Sequence, residues 1–223
     1  MTNKSMVLLA AATTIASLSM AISGTVHADD QQPAGATSQA TVNVTAGGDS
    51  GPTDPIPDPD HPGTGNEGPL TLDYASSFEF NDTKITSGTV EATPKSDGAG
   101  LDSNLYGAQV TDVRGTGAGW NLTVQLDKLS EDSGHELKGA TLSLPAGNVT
   151  TNNEDSSNAA TSTAVTLATD NTAQTILTAS QDQGMGTWFS EMNGDNVKLS
   201  IPGGQYSGNY TSTLTWSLTD APM

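Results

Sequence analysis

Residues 70–223 predict an all-β domain, an antiparallel sandwich or barrel. Three observations carry that expectation. Apolar residues alternate with polar ones in several runs, the period of a strand with one buried face. Clusters rich in Gly, Asn, Asp and Pro, at 96–100, 145–148, 150–155, 192–195 and 202–205, cut those runs to strand length. No stretch carries the 3.6-residue apolar spacing of an amphipathic helix.

The chain opens on what reads as a secretory signal peptide, residues 1–28. Lys4 supplies the positive end, Met6 to Ile22 the apolar run, and Val26-His27-Ala28 a small-residue cleavage site before Asp29. No second apolar run of spanning length follows, so the expectation is an exported protein with no membrane span in its mature part. Residues 29–69 read as a disordered acidic linker rich in Pro and Gly. They hold seven of the eleven prolines and seven acidic residues, with no Lys, Arg or aromatic. Such a segment buries too little apolar surface to offset its ordering entropy.

Within the domain, Leu70, Leu72 and Tyr74 are expected on one face of a first strand. Trp120, Leu122, Val124 and Leu126 form the clearest alternation. Ala140, Leu142 and Leu144 make a third group, and Val197, Leu199 and Ile201 a fourth. Tyr210, Leu214, Trp216 and Leu218 share a parity near the end. Threonine-rich runs near Val165 and Ile176 are further candidate strands. Residues 145–162 read as a long, mobile polar connection.

Charge restricts function. Without Lys4, 6 basic residues stand against 25 acidic ones, a net charge of −19. A phosphate backbone needs a basic face, so nucleic-acid binding is not expected, and neither is binding to anionic lipid. Any polyanionic surface would also repel the chain, so attachment to one needs specific contacts, a protein partner, bridging cations or acid pH. Cysteine is absent, which removes thiol chemistry and disulfides.

Catalysis is not expected. The mature chain has two histidines, His61 in the linker and His135, and neither stands in a metal-binding or triad pattern. Carboxylates are plentiful but lie mostly at strand ends and turns. No catalytic residue, metal site or cofactor is expected.

The most informative residues are two Trp-x-Leu units, Trp120-Asn121-Leu122 and Trp216-Ser217-Leu218. In a strand, i and i+2 point the same way, so each Trp shares a face with its Leu. Two readings stay open: core residues of paired strands, or indoles stacking on sugar rings. Trp188, set beside Gly184 and Gly186, reads as a loop tryptophan and a candidate glycan contact, with Tyr206 and Tyr210 extending that surface. Arg114, Gly115, Gly117 and Gly119 read as a tight turn into a strand, with the arginine bracing it through a carboxylate. The turn lacks the Lys-Ser/Thr ending of a phosphate loop.

The order of these segments resembles the WxL family of cell-surface proteins from low-GC Gram-positive bacteria. An acidic Pro/Asp/Gly linker precedes GPLTLDYASSFEF, then VTDVRGTGAGWNLTV, GMGTW, IPGG and finally YTSTLTWSLTDAP. The resemblance covers Pro69 to Met223. It implies a secreted protein held non-covalently at the cell wall, with peptidoglycan as receptor. It also implies company: other WxL proteins or WxL-interacting surface proteins. On that second reading the chain is a subunit of a surface complex retained by its partner.

Overall fold

The computed structural model describes residues 38–48, 53–96, 101 and 104–220. The expected signal peptide and the first part of the linker, residues 29–37, lie outside them. The described chain is built from strands, with one 3₁₀ turn at Gly194–Asn196.

Three antiparallel four-stranded sheets surround one core. The first contains β1 (Leu70–Ala75), β3 (Leu105–Asp112), β6 (Asn148–Thr150) and β10 (Gly186–Asn193), in the order β1-β3-β10-β6. The second contains β2 (Val90–Ala92), β5 (Thr141–Leu144), β8 (Val165–Ala168) and β11 (Lys198–Ile201), in the order β2-β11-β5-β8. The third contains β4 (Trp120–Leu126), β7 (Thr161–Ser162), β9 (Gln174–Ala179) and β12 (Leu214–Thr219), in the order β12-β4-β9-β7. The two Trp-x-Leu strands are therefore neighbours, with Leu218 opposite Leu122 and Trp216 opposite Val124.

Alternation decides which side chains meet inside. Tyr106, Val110, Trp188 and Met192 come from the first sheet, and Leu142, Leu144, Leu167 and Leu199 from the second. Trp120, Leu122, Val124, Leu126 and Leu177 come from the third. Each fully buried aliphatic or aromatic side chain contributes on the order of 1.5–3 kcal/mol.

The first strand departs from expectation. A register shift between Leu72 and Tyr74 turns Tyr74 to the outer face of its sheet. Leu72 packs on the main core, while Tyr74 joins Leu101 and Phe189 in a second, small cluster with Ile56 and Leu105. A bulge reverses the parity that a plain reading of LTLDY extends through the strand.

The cluster is covered by residues expected to be unpacked. Part of the linker, from about Thr53 to Pro69, runs against the outer face and edge of the first sheet. Gln109 holds it as a neighbouring strand would. Its Oε1 accepts from the Ile56 N–H at 2.7 Å, and its Nε2 donates to the Asp54 carbonyl at 3.0 Å. Thr64 follows, its N–H donating to the Asp73 carbonyl and its hydroxyl to the Leu72 carbonyl. His61 meets Tyr74 edge-on, with ring centroids 5.3 Å apart. Composition alone hid this strap because its anchors are backbone groups, small polar side chains, one histidine ring and a single isoleucine.

Under the strap lies Asp73, fully buried. Its carboxylate accepts from the hydroxyls of Thr71 and Thr111, each at 2.6 Å, and from Gln109 Nε2 at 3.2 Å. The segment 145–162 also differs from expectation: it contains β6 and β7, and Asn153 is tied to both Met185 and Thr187.

Burial pushes the Asp73 carboxyl above its ordinary value, against the opposing pull of Thr111, Thr71 and Gln109. The folded protein thus holds this proton more tightly than the unfolded chain. The contribution is fully present below the unfolded pKa and is lost as pH rises through the folded value. Asp73→Asn is expected to flatten the fall in urea midpoint as pH rises out of the ordinary carboxyl range. Parallel wild-type and variant curves would contradict it.

Candidate functional site

The structure separates the candidate residues into a buried framework and an open groove. Trp120 is fully buried in β4, and Trp188 is buried in β10 with 1 % of its surface exposed. This corrects the expectation of a loop tryptophan at 188. The glycines beside it end a turn and start a strand, and the inward residues Trp188, Ser190 and Met192 hide their periodicity behind one small polar member. In this conformation Trp188 presents no face for a sugar.

The two buried indoles share one device. Trp120 Nε1–H donates to the Gly184 carbonyl at 3.1 Å, and Trp188 Nε1–H to the adjacent Met185 carbonyl at 2.9 Å. Gly184 sits at φ +70°, and a Cβ there would run into Ala179 and the Trp120 ring. The sequence expectation for GMGTW did not include its backbone carbonyls as the acceptors for both indoles. The signal was available: two glycines beside a tryptophan, in a chain with another tryptophan needing an acceptor.

Trp216 and Leu218 are half-buried on β12, an edge strand, and pack on the core from one side. The Trp-x-Leu units are thus a paired structural motif, with Trp120 and Leu122 wholly interior and Trp216 and Leu218 at the margin. The glycine turn before β4 serves the same framework. Gly115, Gly117 and Gly119 all have positive φ, and a Cβ on Gly119 would meet the Ala179 carbonyl. Arg114 braces this turn as expected. Its Nε and Nη2 grip both oxygens of buried Asp112 at 2.9 and 2.8 Å, and Nη2 also reaches the Gly119 carbonyl at 2.8 Å.

Tyr206 and Tyr210 stand elsewhere, on a groove of ≈ 740 Å³ between segments 78–95 and 202–214. Its floor is set by core leucines that are themselves buried, Leu126, Leu129, Leu137, Leu142 and Leu199. Its rim carries hydroxyl and amide side chains, among them Asn81, Thr83, Thr86, Gln205, Asn209 and Thr211. An apolar floor with a few converging polar groups is the usual form of a small-ligand site. Tyr206 is 66 % exposed. One face of its ring lies on His135, with centroids 3.9 Å apart and planes 8° from parallel, which leaves the other face open. Tyr210 donates its hydroxyl to the Tyr206 carbonyl at 3.0 Å and so fixes the loop.

Charge at this rim is internally balanced. Glu131 accepts from Ser133 at 2.6 Å and lies 2.5 Å from His135 Nδ1. These partners, the serine hydroxyl first, hold its carboxyl below the ordinary range. Glu79 is paired with Lys95. Desolvation first, and then Glu131, raises the Tyr210 phenol, which stays neutral at ordinary pH. Among the described residues, no group of His and acidic side chains is arranged to hold a metal ion.

These features define a three-sheet β domain with an interior tryptophan framework and a neutral surface groove. Residues 31–222 match the model of the WxL domain family, described as a surface cell wall-binding domain. The chain belongs to the WxL family and is a cell-surface, wall-associated protein. The match begins well before Leu70, so it takes in the strap. Among curated proteins and among solved structures, none matches the chain significantly. No helix of the described residues is long and apolar enough to cross a membrane.

The framework and the groove should respond differently to truncation. Trp120→Ala is expected to cost about 3–5 kcal/mol in urea unfolding, because it opens a large cavity and leaves the Gly184 carbonyl without its donor. Tyr206→Ala should change stability by less than about 1 kcal/mol, as befits an exposed ring. Equal losses in both would overturn the separation.

Proposed function

We propose that this domain holds the protein on the wall non-covalently by binding peptidoglycan in the groove beside Tyr206 and Tyr210. The observation that carries this reading is the open face of Tyr206 above an apolar floor and a hydroxyl-amide rim. The C–H face of a pyranose suits an aromatic ring, and its hydroxyl and N-acetyl groups suit neutral hydrogen-bonding side chains. The rim's two lysines, Lys84 and Lys95, are matched in number by Glu79 and Asp82, so no net positive charge there draws an anionic polymer, which favours uncharged sugar. Secretion, with removal of residues 1–28, belongs to the same reading.

The site binds and does not catalyse. A glycosidase acid needs a carboxyl raised toward neutrality and placed at the substrate. The raised carboxyl of Asp73 lies under the strap on the first sheet, away from the groove. Glu131, beside the tyrosines, is held low.

A second reading is retention by a WxL-interacting protein partner. The uncharged edge strand β12, with Thr215, Ser217 and Thr219 exposed, favours it, since such an edge accepts a partner strand.

A pull-down on peptidoglycan stripped of teichoic acid and protein separates the two. The chain from Asp29 should sediment with the wall, and a folded Tyr206→Ala should lose most of that binding, on the order of tenfold. Wild type left in the supernatant would move the search to a protein partner. On whole walls at low salt, retention should rise as carboxylates protonate below about pH 5 and repulsion from wall polyanions falls. Retention that is flat from about pH 4 to 8 under those conditions contradicts the electrostatic part.

A further inference from the structure

A short arm ahead of the domain has the character of an unpaired strand. Residues 33–48 contain no charged side chain, in a mature chain of net −19. Within them, Thr41-Val42-Asn43-Val44-Thr45 places Val42 and Val44 on one strand face and Thr41, Asn43 and Thr45 on the other, with four of the five residues β-branched. Val42 and Val44 are 86 % and 83 % exposed, the two most exposed large apolar residues among those described. Residues 38–48 have no secondary structure of their own. The Gly47 N–H is tied to the Val113 carbonyl at 2.9 Å, and Gly48 lies against Pro69, just before β1.

The domain also offers a place for such a strand. β1 and β12 are each the outermost strand of their sheets. Between them runs a slot of ≈ 660 Å³, lined by Leu70, Leu72, Trp216 and Leu218. The carbonyl of Leu72 on the β1 side is already taken by Thr64 and Asn66. Among the described residues, β12 makes backbone bonds only to β4. The receptive edge is therefore that of β12.

We propose that the arm around Val42 and Val44 of one molecule adds as a strand to the β12 edge of a second copy. Val42 and Val44 have the same i, i+2 spacing as Trp216 and Leu218, so both valines can face the half-buried pair. Six residues of arm, Thr41 to Ala46, extend about 20 Å, which matches the six residues of β12. Val44 is 83 % exposed and so open to a partner. Neutrality of the arm lets it approach a strongly acidic molecule that the rest of the chain repels. Association should therefore strengthen as salt rises, the reverse of an interface built on ion pairs. The proposal does not depend on what the groove binds.

Sedimentation velocity on the chain from Asp29, over a concentration series at low and moderate salt, tests it. The expected result is a concentration-dependent shift to a dimer or longer assembly, larger at moderate salt. Val42→Asp/Val44→Asp should weaken association by at least about tenfold and leave the unfolding midpoint unchanged at dilutions where wild type is monomeric, because both side chains are already exposed in the monomer. A synthetic peptide spanning residues 39–46, in excess, should dissociate the assembly and protect β12 amides from exchange. A monomer at every concentration and salt overturns the proposal. So does a double variant that associates like wild type, or an assembly whose β12 amides exchange as freely as in the monomer.

Discussion

Two buried indole N–H groups have to find acceptors, and one turn supplies both. Gly184 and Met185 present consecutive carbonyls to Trp120 and Trp188. A buried donor left unpaired costs about 1–3 kcal/mol, so this turn must hold its shape for either tryptophan to stay inside. Gly184 is required because any side chain there would strike the Trp120 ring. The turn is in turn fixed from outside, by the Gly184 N–H on the Asn158 carbonyl and by Asn153 on Met185 and Thr187. Trp120 lies in the third sheet and Trp188 in the first, so this one arrangement locks two sheets to each other.

The Trp-x-Leu motif takes its meaning from that lock. Trp120 anchors β4, and β4 carries β12 beside it, which places Trp216 and Leu218 at the margin of the same core. The second unit is less buried because β12 has a neighbour on one side only. Arg114 joins the start of β4 to the region after β12 through Asp112, Gly119 and the Asp220 carbonyl. The residues that define the family are in this way a clasp between strands far apart in sequence. On the proposed reading, ligand contact falls to a different part of the domain, where the Tyr206 ring is exposed outside the core.

Much of this was legible from the residues. The alternation of Trp120, Leu122, Val124 and Leu126 predicts a strand with one apolar face and leaves its burial open, and RGTGAG predicts a tight turn, whose three glycines have positive φ in the structure. What escaped did so for physical reasons. Tyr74 changed faces through a bulge, which no period-2 count detects. β10 was masked by glycines at its start and a serine in its inward row. The strap over Asp73 depends on Gln109 imitating a backbone, and nothing in the composition of an acidic Pro-rich segment marks that. The groove was not legible: Tyr206 and Tyr210 stood out only as an extension of Trp188, which is buried elsewhere, and the leucines beneath them, Leu126, Leu137 and Leu199, come from three separate stretches.

The account rests on a division of labour between an interior tryptophan clasp and a tyrosine-bearing groove. Amide and indole chemical-shift mapping with soluble peptidoglycan fragments tests that division directly. Shifts should concentrate in residues 205–211 and 81–86, while the indole N–H signals of Trp120 and Trp188 stay in place. Shifts centred on Trp216, Leu218 and β12, with Tyr206 and its neighbours silent, would contradict it.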